Sequence, residues 1–344
     1  MLNNYIANHK KILATKKYEV FNLYESFNLY ESFNLYESLN LYESLNMKPK
    51  DTHFKSGFLT IIGKPNVGKS SLMNLMIGEK LSIVTAKPQT TRQNIKGILT
   101  DDEKQIVFLD TPGFLEPRYK LQKKMRKYID YSLLDTDLIL FISELTNFPT
   151  EYDKTICEIL IKKDIPKIAV INKIDLAQQV DEIDSSIEIL SKFKYDYILP
   201  ISVLHNIGID ELMRRIMELL PYGMPYYPAD YISDQNLRFF TGEIIREVIF
   251  KLFKQEIPYA VAVSIEDFKE TDKKATIYAN IYVESDSQKK IVIGNKGKMI
   301  AYIRHLSEKE IHRLVQKRVS LHLWVKVKPN WRKKEQLLNE FGYK

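Results

Sequence analysis

A short apolar run, Phe58-Leu59-Thr60-Ile61-Ile62, stands directly before Gly63-Lys64-Pro65-Asn66-Val67-Gly68-Lys69-Ser70, and a helix-like run, Ser71-Leu72-Met73-Asn74-Leu75-Met76, directly after it. The order predicts a buried strand, a glycine-bounded loop and a helix that ends near Gly78. In that setting the eight-residue pattern has a mechanism. Backbone N–H groups of the loop and the helix N-terminus converge on a phosphate, Lys69 reaches the oxygens beyond it, and the Ser70 hydroxyl ligates Mg²⁺. A glycine-rich turn without function is the competing reading of the octapeptide alone; the strand and helix on its flanks weigh against it. The chain is thus expected to bind a nucleoside triphosphate.

From about residue 56 to 220, strand-like and helix-like runs alternate. Gln105-Ile106-Val107-Phe108-Leu109, Leu138-Ile139-Leu140-Phe141-Ile142, Ile168-Ala169-Val170-Ile171 and Tyr197-Ile198-Leu199-Pro200-Ile201 are short apolar runs of the kind buried on both faces. They predict an α/β domain over 53–220 with a doubly wound, mostly parallel sheet. The Pro- and Tyr-rich stretch after Leu220 breaks the pattern and predicts a linker over 221–235. Beyond it the chain reads as helix (236–254), strand (257–267), strand (275–284), two short helices around a glycine turn (289–317) and strand (320–327). That is a second, smaller α+β domain over 236–330, followed by a tail, 331–344.

The net charge of +7 lies wholly in the second part: from residue 230 onward there are 22 Lys and Arg against 15 Asp and Glu, and the two balance before it. A basic module beside a neutral nucleotide domain suggests a polyanionic partner, with solvated lysines as the plain alternative. A single cysteine, Cys157, excludes a disulfide framework and a thiolate metal centre and suits a reducing cytoplasm. The six histidines show no metal-ligand spacing. No run of eighteen apolar residues predicts a membrane span, and peripheral contact with anionic lipid stays open. Residues 21–44 hold four near-identical hexapeptides related to Phe-Asn-Leu-Tyr-Glu-Ser. Six residues turn a helix by about 600°, so no apolar stripe persists from copy to copy. Residues 1–46 are expected to be a disordered extension, with Met47 a candidate initiator.

Three further motifs fall after predicted strands. Asp110-Thr111-Pro112-Gly113 supplies a carboxylate for Mg²⁺ and the Gly113 N–H for a γ-phosphate. Asn172-Lys173-Ile174-Asp175 supplies a base reader, because the Asp175 carboxylate accepts from guanine N1–H and N2–H₂, which adenine lacks; a site of this kind discriminates by roughly 10⁴–10⁵. Asn172 is expected to tie this loop to the phosphate loop, and Lys173 to lie along the base. In Pro88-Gln89-Thr90-Thr91-Arg92, Thr91 is the expected switch threonine that reaches Mg²⁺ with triphosphate bound, with Thr90 as runner-up. Ser202-Val203 follows a strand where the backbone is expected to approach guanine O6. Phe114 occupies the position at which many GTPases carry a water-orienting glutamine. An apolar side chain cannot orient water, so slow intrinsic hydrolysis and stimulation by a partner are expected.

Near the C-terminus, Gly294-Asn295-Lys296-Gly297 is a G-x-x-G turn between Lys289-Lys290-Ile291-Val292-Ile293 and Lys298-Met299-Ile300. A lone G-x-x-G is usually just a turn. With basic flanks, a following helix and the element order α-β-β-α-α-β it reads as a type II KH domain, whose glycines admit a phosphodiester strand and whose adjacent groove takes about four splayed bases. Lys289, Lys290, Ile293, Gly294, Asn295, Lys296, Gly297 and Lys298 are the candidate RNA-binding residues. Trp324, in the last strand, is expected in the core; the place of Trp331 is left undecided.

The order of these motifs resembles the translation-factor-related P-loop GTPases. The octapeptide, Pro88-Gln89-Thr90-Thr91-Arg92, Asp110-Thr111-Pro112-Gly113, Ile293-Gly294-Asn295-Lys296-Gly297 and Leu323-Trp324-Val325-Lys326-Val327-Lys328 resemble, more closely, the Era family of bacterial GTPases over about 53–344. The N-terminal extension has no counterpart in it, and Ser202-Val203 departs from its Ser-Ala. The resemblance implies GTP and GDP with Mg²⁺ as cofactors, K⁺ beside Asn66, and a monomeric cytoplasmic protein, peripheral at the inner membrane face in one version. It also implies binding to the 3′ end of small-subunit (16S) rRNA on the 30S subunit during assembly, and no role for DNA. Competing readings are a constitutive RNA-binding adaptor with a structural nucleotide domain, and a membrane-linked signalling GTPase; an ATP-driven remodeller is disfavoured by Asp175.

Overall fold

The computed structural model describes residues 53–85 and 87–343. The hexapeptide repeats and Met47 lie outside the described residues. The first domain holds β1 (Lys55–Ile62), α1 (Lys69–Ile77), β2 (Ile95–Thr100), β3 (Lys104–Asp110), α2 (Lys120–Ser132), β4 (Leu138–Glu144), α3 (Glu151–Leu160), β5 (Lys167–Asn172), α4 (Val180–Ser191), β6 (Tyr197–Pro200) and α5 (Ile209–Leu219). The strands form one sheet in the order β2-β3-β1-β4-β5-β6, parallel except for β2. Side chains that alternate along each strand feed two cores. Leu59, Ile61 and Leu140 pack with Leu72 of α1 and Ile216 of α5, whereas Ile62 and Phe141 face Ile129 of α2, Ile156 of α3 and Leu190 of α4. The strand ends of β1, β3, β5 and β6 therefore deliver all four sequence motifs to one edge, where ligands bind in such sheets.

The second domain runs α6 (Leu237–Leu252), a short α7 (Ile257–Ala260), β7 (Ala262–Glu270), β8 (Lys274–Val283), α8 (Asp286–Ile293), α9 (Lys298–Val315) and β9 (Arg318–Val327). Its sheet is β7-β8-β9, with β7 antiparallel and β9 parallel to β8. The strand expected from residue 257 begins with a helical turn that has Pro258 in its first positions. The two helices expected to be short span 8 and 18 residues. Apolar side chains of α6, α8 and α9 cover one face of this sheet.

The segments expected as linker and tail are both packed. Gly223 N donates to Phe54 O, Tyr226 N and Tyr227 N donate to the Gln105 amide oxygen, and Ile98 N donates to Ile232 O, so the Pro-rich stretch straps the starts of the strands. Residues 331–343 form a helical turn at Trp331–Lys333 and α10 (Glu335–Glu340). Trp331, Leu338 and Tyr343 are buried with Leu121 and Met125 of α2 and with Ala262 and Tyr282 of the second sheet. Trp331 belongs to the core that joins the two domains, and its indole N–H donates to Ala260 O at 2.7 Å.

Candidate nucleotide and RNA sites

The loop between β1 and α1 closes on itself around Lys69. The buried ammonium donates to Gly63 O at 3.0 Å and Lys64 O at 2.8 Å. Burial lowers its pKa to about 8, against the opposing pull of the Asp110 carboxylate. Gly68 has φ 104°, and a Cβ there would lie 2.4 Å from Asn172 Nδ2, so both conformation and space demand glycine. Ser70 Oγ donates to Asp110 Oδ2 at 2.7 Å, Thr91 Oγ1 donates to the same oxygen at 3.1 Å, and the two hydroxyls are 3.0 Å apart. Asp110 Oδ1 is buried without a hydrogen-bond partner. Burial raises the Asp110 pKa, and the Ser70 hydroxyl and Lys69 oppose the rise. Two hydroxyl oxygens beside a buried carboxylate with one orphaned oxygen make a hard-oxygen set that fits Mg²⁺. Thr90 also lines this cleft, but its hydroxyl donates to Lys87 O at 2.7 Å rather than to Asp110.

Pro65, Asn66, Gly68, Lys69, Ser70, Ser71, Thr91 and Gly113 line the cleft together, with a wall of Ile83, Val84, Thr85 and Gln89 that sequence reasoning left unassigned. Other motif side chains point inward. Lys64 pairs with Asp153 at 3.1 Å, Thr111 donates to Ile61 O at 2.7 Å, and Val67 is fully buried. Pro112 is buried beside them. Phe114 sits in the core with Ile62, Ile129 and Phe141 at 3% exposure, under the Arg126 guanidinium 4.1 Å from its ring centroid. It faces away from the cleft, so water orientation must come from other groups.

Asn172 Nδ2 donates to Val67 O at 2.8 Å and its Oδ1 accepts from Val203 N at 3.0 Å, joining the base loop to the phosphate loop and to the loop after β6. Lys173 Nζ donates to Asn66 O at 2.9 Å and pairs with Glu144. The half-buried Ile174 packs against the core of β4 and β5, while Ser202 Oγ donates to Asp175 Oδ1. Val203 contributes its N–H here and its side chain packs on the core, so its extra bulk over alanine does not enter the base pocket.

The segment that carries Thr91 also reaches the second domain. Arg92, 2% exposed, donates to Val261 O at 2.7 Å, Pro258 O at 3.0 Å and Tyr259 O at 3.1 Å. Lys87 donates to Phe250 O and Phe253 O, and Arg246 of α6 to Thr90 O. None of these roles was assigned from sequence, because the partners are backbone carbonyls more than 150 residues away.

Gly294 (φ 72°) and Gly297 (φ 76°) turn the chain from α8 into α9; a Cβ on Gly294 would meet Met299 Cβ at 2.5 Å. Lys290, Asn295, Lys296 and Lys298 are exposed around the turn, Lys289 is half-buried, and Ile293 packs against the domain core. An adjacent groove is lined by Gly297, Ile300, Ala301, Arg304 and Leu323. Positions 297, 300, 301 and 304 share one face of α9, a spacing from which Ile300, Ala301 and Arg304 are readable in the sequence.

A parallel sheet with a phosphate loop and an Asn-Lys-x-Asp base reader, joined to a KH domain, defines an RNA-binding GTPase of the P-loop class. The 50S ribosome-binding GTPase family model matches residues 58–173, and the KH domain model matches 256–332. The chain is 42% identical to GTPase Era of Clostridium botulinum, over 85% of this chain and 99% of the relative. It is 44% identical to GTPase Era of Lactobacillus helveticus, over 86% and 98%. Similar solved structures include Era in complex with MgGDPNP and nucleotides 1506–1542 of 16S ribosomal RNA (TM-score 0.82, 38% identity, 85% of this chain and 99% of that one). An Aquifex aeolicus Era variant bound to GDP and AlF₄⁻ is similar too (TM-score 0.81, 38% identity, 84% and 99%). The chain belongs to the GTPase Era family.

Proposed function

We propose that this protein is a GTP-timed RNA-binding switch. It binds GTP and GDP with Mg²⁺, hydrolyses GTP slowly, and holds the 3′ end of small-subunit rRNA in the groove beside Gly294–Gly297 during assembly of the 30S subunit. The carrying observation is the segment 87–92. Thr91 joins Ser70 and Asp110, while Arg92 and Lys87 bind backbone carbonyls of the second domain and Arg246 binds Thr90 O. A change at the phosphate end is therefore a change at the RNA-binding domain. Mg²⁺ would be held by Ser70, Thr91 and Asp110 and would neutralise charge on the β- and γ-phosphates. Lys69 meets the phosphate oxygens, the loop N–H groups cradle them, Gly113 N–H faces the γ end, and Asp175 selects guanine. Lys290, Lys296 and Lys298 meet RNA phosphates, and Ile300, Ala301 and Leu323 receive bases.

The rRNA assignment is supported by the solved relative with 16S nucleotides 1506–1542. The family model whose description names the 50S subunit spans only 58–173 and stops short of the RNA-binding domain. An rRNA partner would place its site of action in the cytoplasm. Among the described residues no helix is long and apolar enough to cross a membrane. The test is RNA affinity in the presence of a non-hydrolysable GTP analogue and of GDP. The two differ for the unaltered protein and converge for Arg92→Ala; equal affinities for the unaltered protein defeat the switch and leave a constitutive adaptor. K⁺ beside Asn66 is part of the same reading, and equal GTPase rates in K⁺ and Na⁺ would remove it.

A further inference from the structure

The face of the second sheet turned away from its helices carries an aromatic plate. Along β9, Leu321 and Val325 are buried in the domain core while His322, Trp324 and Lys326 are exposed. Tyr278 of β8 is the register partner of His322. The Tyr278 and His322 rings lie 4.8 Å apart at 14°, Tyr278 and Trp324 6.0 Å apart at 16°, and His322 and Trp324 6.4 Å apart at 26°. Trp324 is 49% exposed, contrary to its expected place in the core.

Cross-strand ring pairs steady a sheet by about 0.2–1 kcal/mol each, which a covered plate would also do. Two observations give this open one a ligand. Its strand carries exposed cations on the same face at both ends, Arg318 and Lys326, and neither has an acidic partner among the described residues. Asp267 of β7, the register partner of Tyr278, is paired with Lys269 at 3.0 Å and with Arg238 at 4.0 Å. Second, β9 is an edge strand, and consecutive residues serve its two faces: Leu323 lines the groove beside Gly297, and Trp324 lies on the plate. A single strand leaving the groove over that edge meets parallel rings flanked by positive charge.

We propose that the RNA held in the groove continues over the β9 edge and stacks one or two further bases on Tyr278, His322 and Trp324, with its phosphates beside Lys326 and Arg318. Stacking on a protein ring contributes roughly 1–3 kcal/mol per base and tolerates any base. This rests on the RNA-binding reading above and extends its footprint to the opposite face of the domain.

The experiment uses the full chain and the 16S segment named above, whole and trimmed stepwise from either end, with binding read by anisotropy. Trp324→Ala should weaken the longer RNAs about 5- to 150-fold, as the loss of one stacked base predicts, and leave the shortest bound RNA unchanged; Trp324→Phe should keep most of the affinity. Unaltered protein provides a second readout. Of its two tryptophans, Trp331 is fully buried, so emission quenched by RNA reports Trp324. Quenching should appear when the RNA outgrows the groove. Long RNA that binds without quenching, or an equal loss for short and long RNA in Trp324→Ala, overturns the proposal and leaves the plate to a protein partner or to the sheet. If the unaltered protein binds neither long nor short RNA, the RNA-binding reading itself falls.

Discussion

Gly63–Ser70 and Gly294–Gly297 are both glycine-framed turns that open a helix toward phosphate, yet they are built to opposite ends. The first is wedged from every side. Asn172 crowds Gly68, a Cβ on Gly113 would lie 2.8 Å from Pro65 Cα, and Lys173 donates to Asn66 O. The second is crowded only at Gly294; a Cβ on Gly297 would meet nothing within 4 Å, and Asn295 and Lys296 stand in solvent. A nucleotide must be told from its analogues, which takes converging groups without slack. An RNA strand passes along its site, which takes an open rim and mobile cations.

The strongest way to break this comparison is Asp175→Asn. If selectivity lives in the wedged site, GTP affinity should fall by about 10³ or more while xanthosine triphosphate gains, because the amide N–H now faces the guanine donors. RNA affinity of the nucleotide-free protein should not move. Competition binding with the two nucleotides reads this; an unchanged guanine preference would take Asp175 out of the base site. Next in size is a matched glycine pair. Gly68→Ala should cost roughly 2 kcal/mol or more and abolish nucleotide binding, since it combines a left-handed residue with a clash at Asn172. Gly297→Ala should cost about 1 kcal/mol, with nucleotide binding intact. Equal losses in denaturant titrations would show the two loops to be equally constrained.

The last effect is with pH. The free protein holds Lys69 near pKa 8, below the 10.5 of an unfolded chain. Between those values the unfolded state binds the extra proton, so the penalty of the buried ammonium is full below pH 8 and fades as pH rises through the window. Phosphate restores the ammonium, so nucleotide binding takes up a proton there, and affinity should fall by up to about tenfold per pH unit above 8. Calorimetry in buffers of different ionisation heats measures the uptake; none at pH 9 would mean that Lys69 stays charged without phosphate.

Much of this was legible before any coordinates. The motif order places the octapeptide, Asp110-Thr111-Pro112-Gly113 and Asn172-Lys173-Ile174-Asp175 at the ends of β1, β3 and β5, because a parallel sheet carries every such loop to the same edge. Thr91, expected over Thr90 as the switch threonine, is the one of the two whose hydroxyl donates to Asp110. Other features had a signal that went unused: in Leu321-His322-Leu323-Trp324-Val325-Lys326 the tryptophan shares its phase with His322 and Lys326, which puts it on the polar face of a strand. The packing of 221–235 and 331–343 had none. A Pro-rich stretch reads as a linker and a short basic end as a tail, and each acquires a role only from surfaces that the rest of the chain must first create.

Local chemistry was therefore set by residue type and order. Lys69, Ser70, Asp110 and Asp175 were picked out by those spacings alone, and Gly68 sits at φ 104°, where glycine is favoured. The union of the two halves was decided in three dimensions. Arg92 is one arginine among many until Val261, Pro258 and Tyr259 offer it their carbonyls in a dry interior, where an unpaired guanidinium could not remain. Backbone acceptors are the same at every position, so no pattern of side chains announces where they will gather.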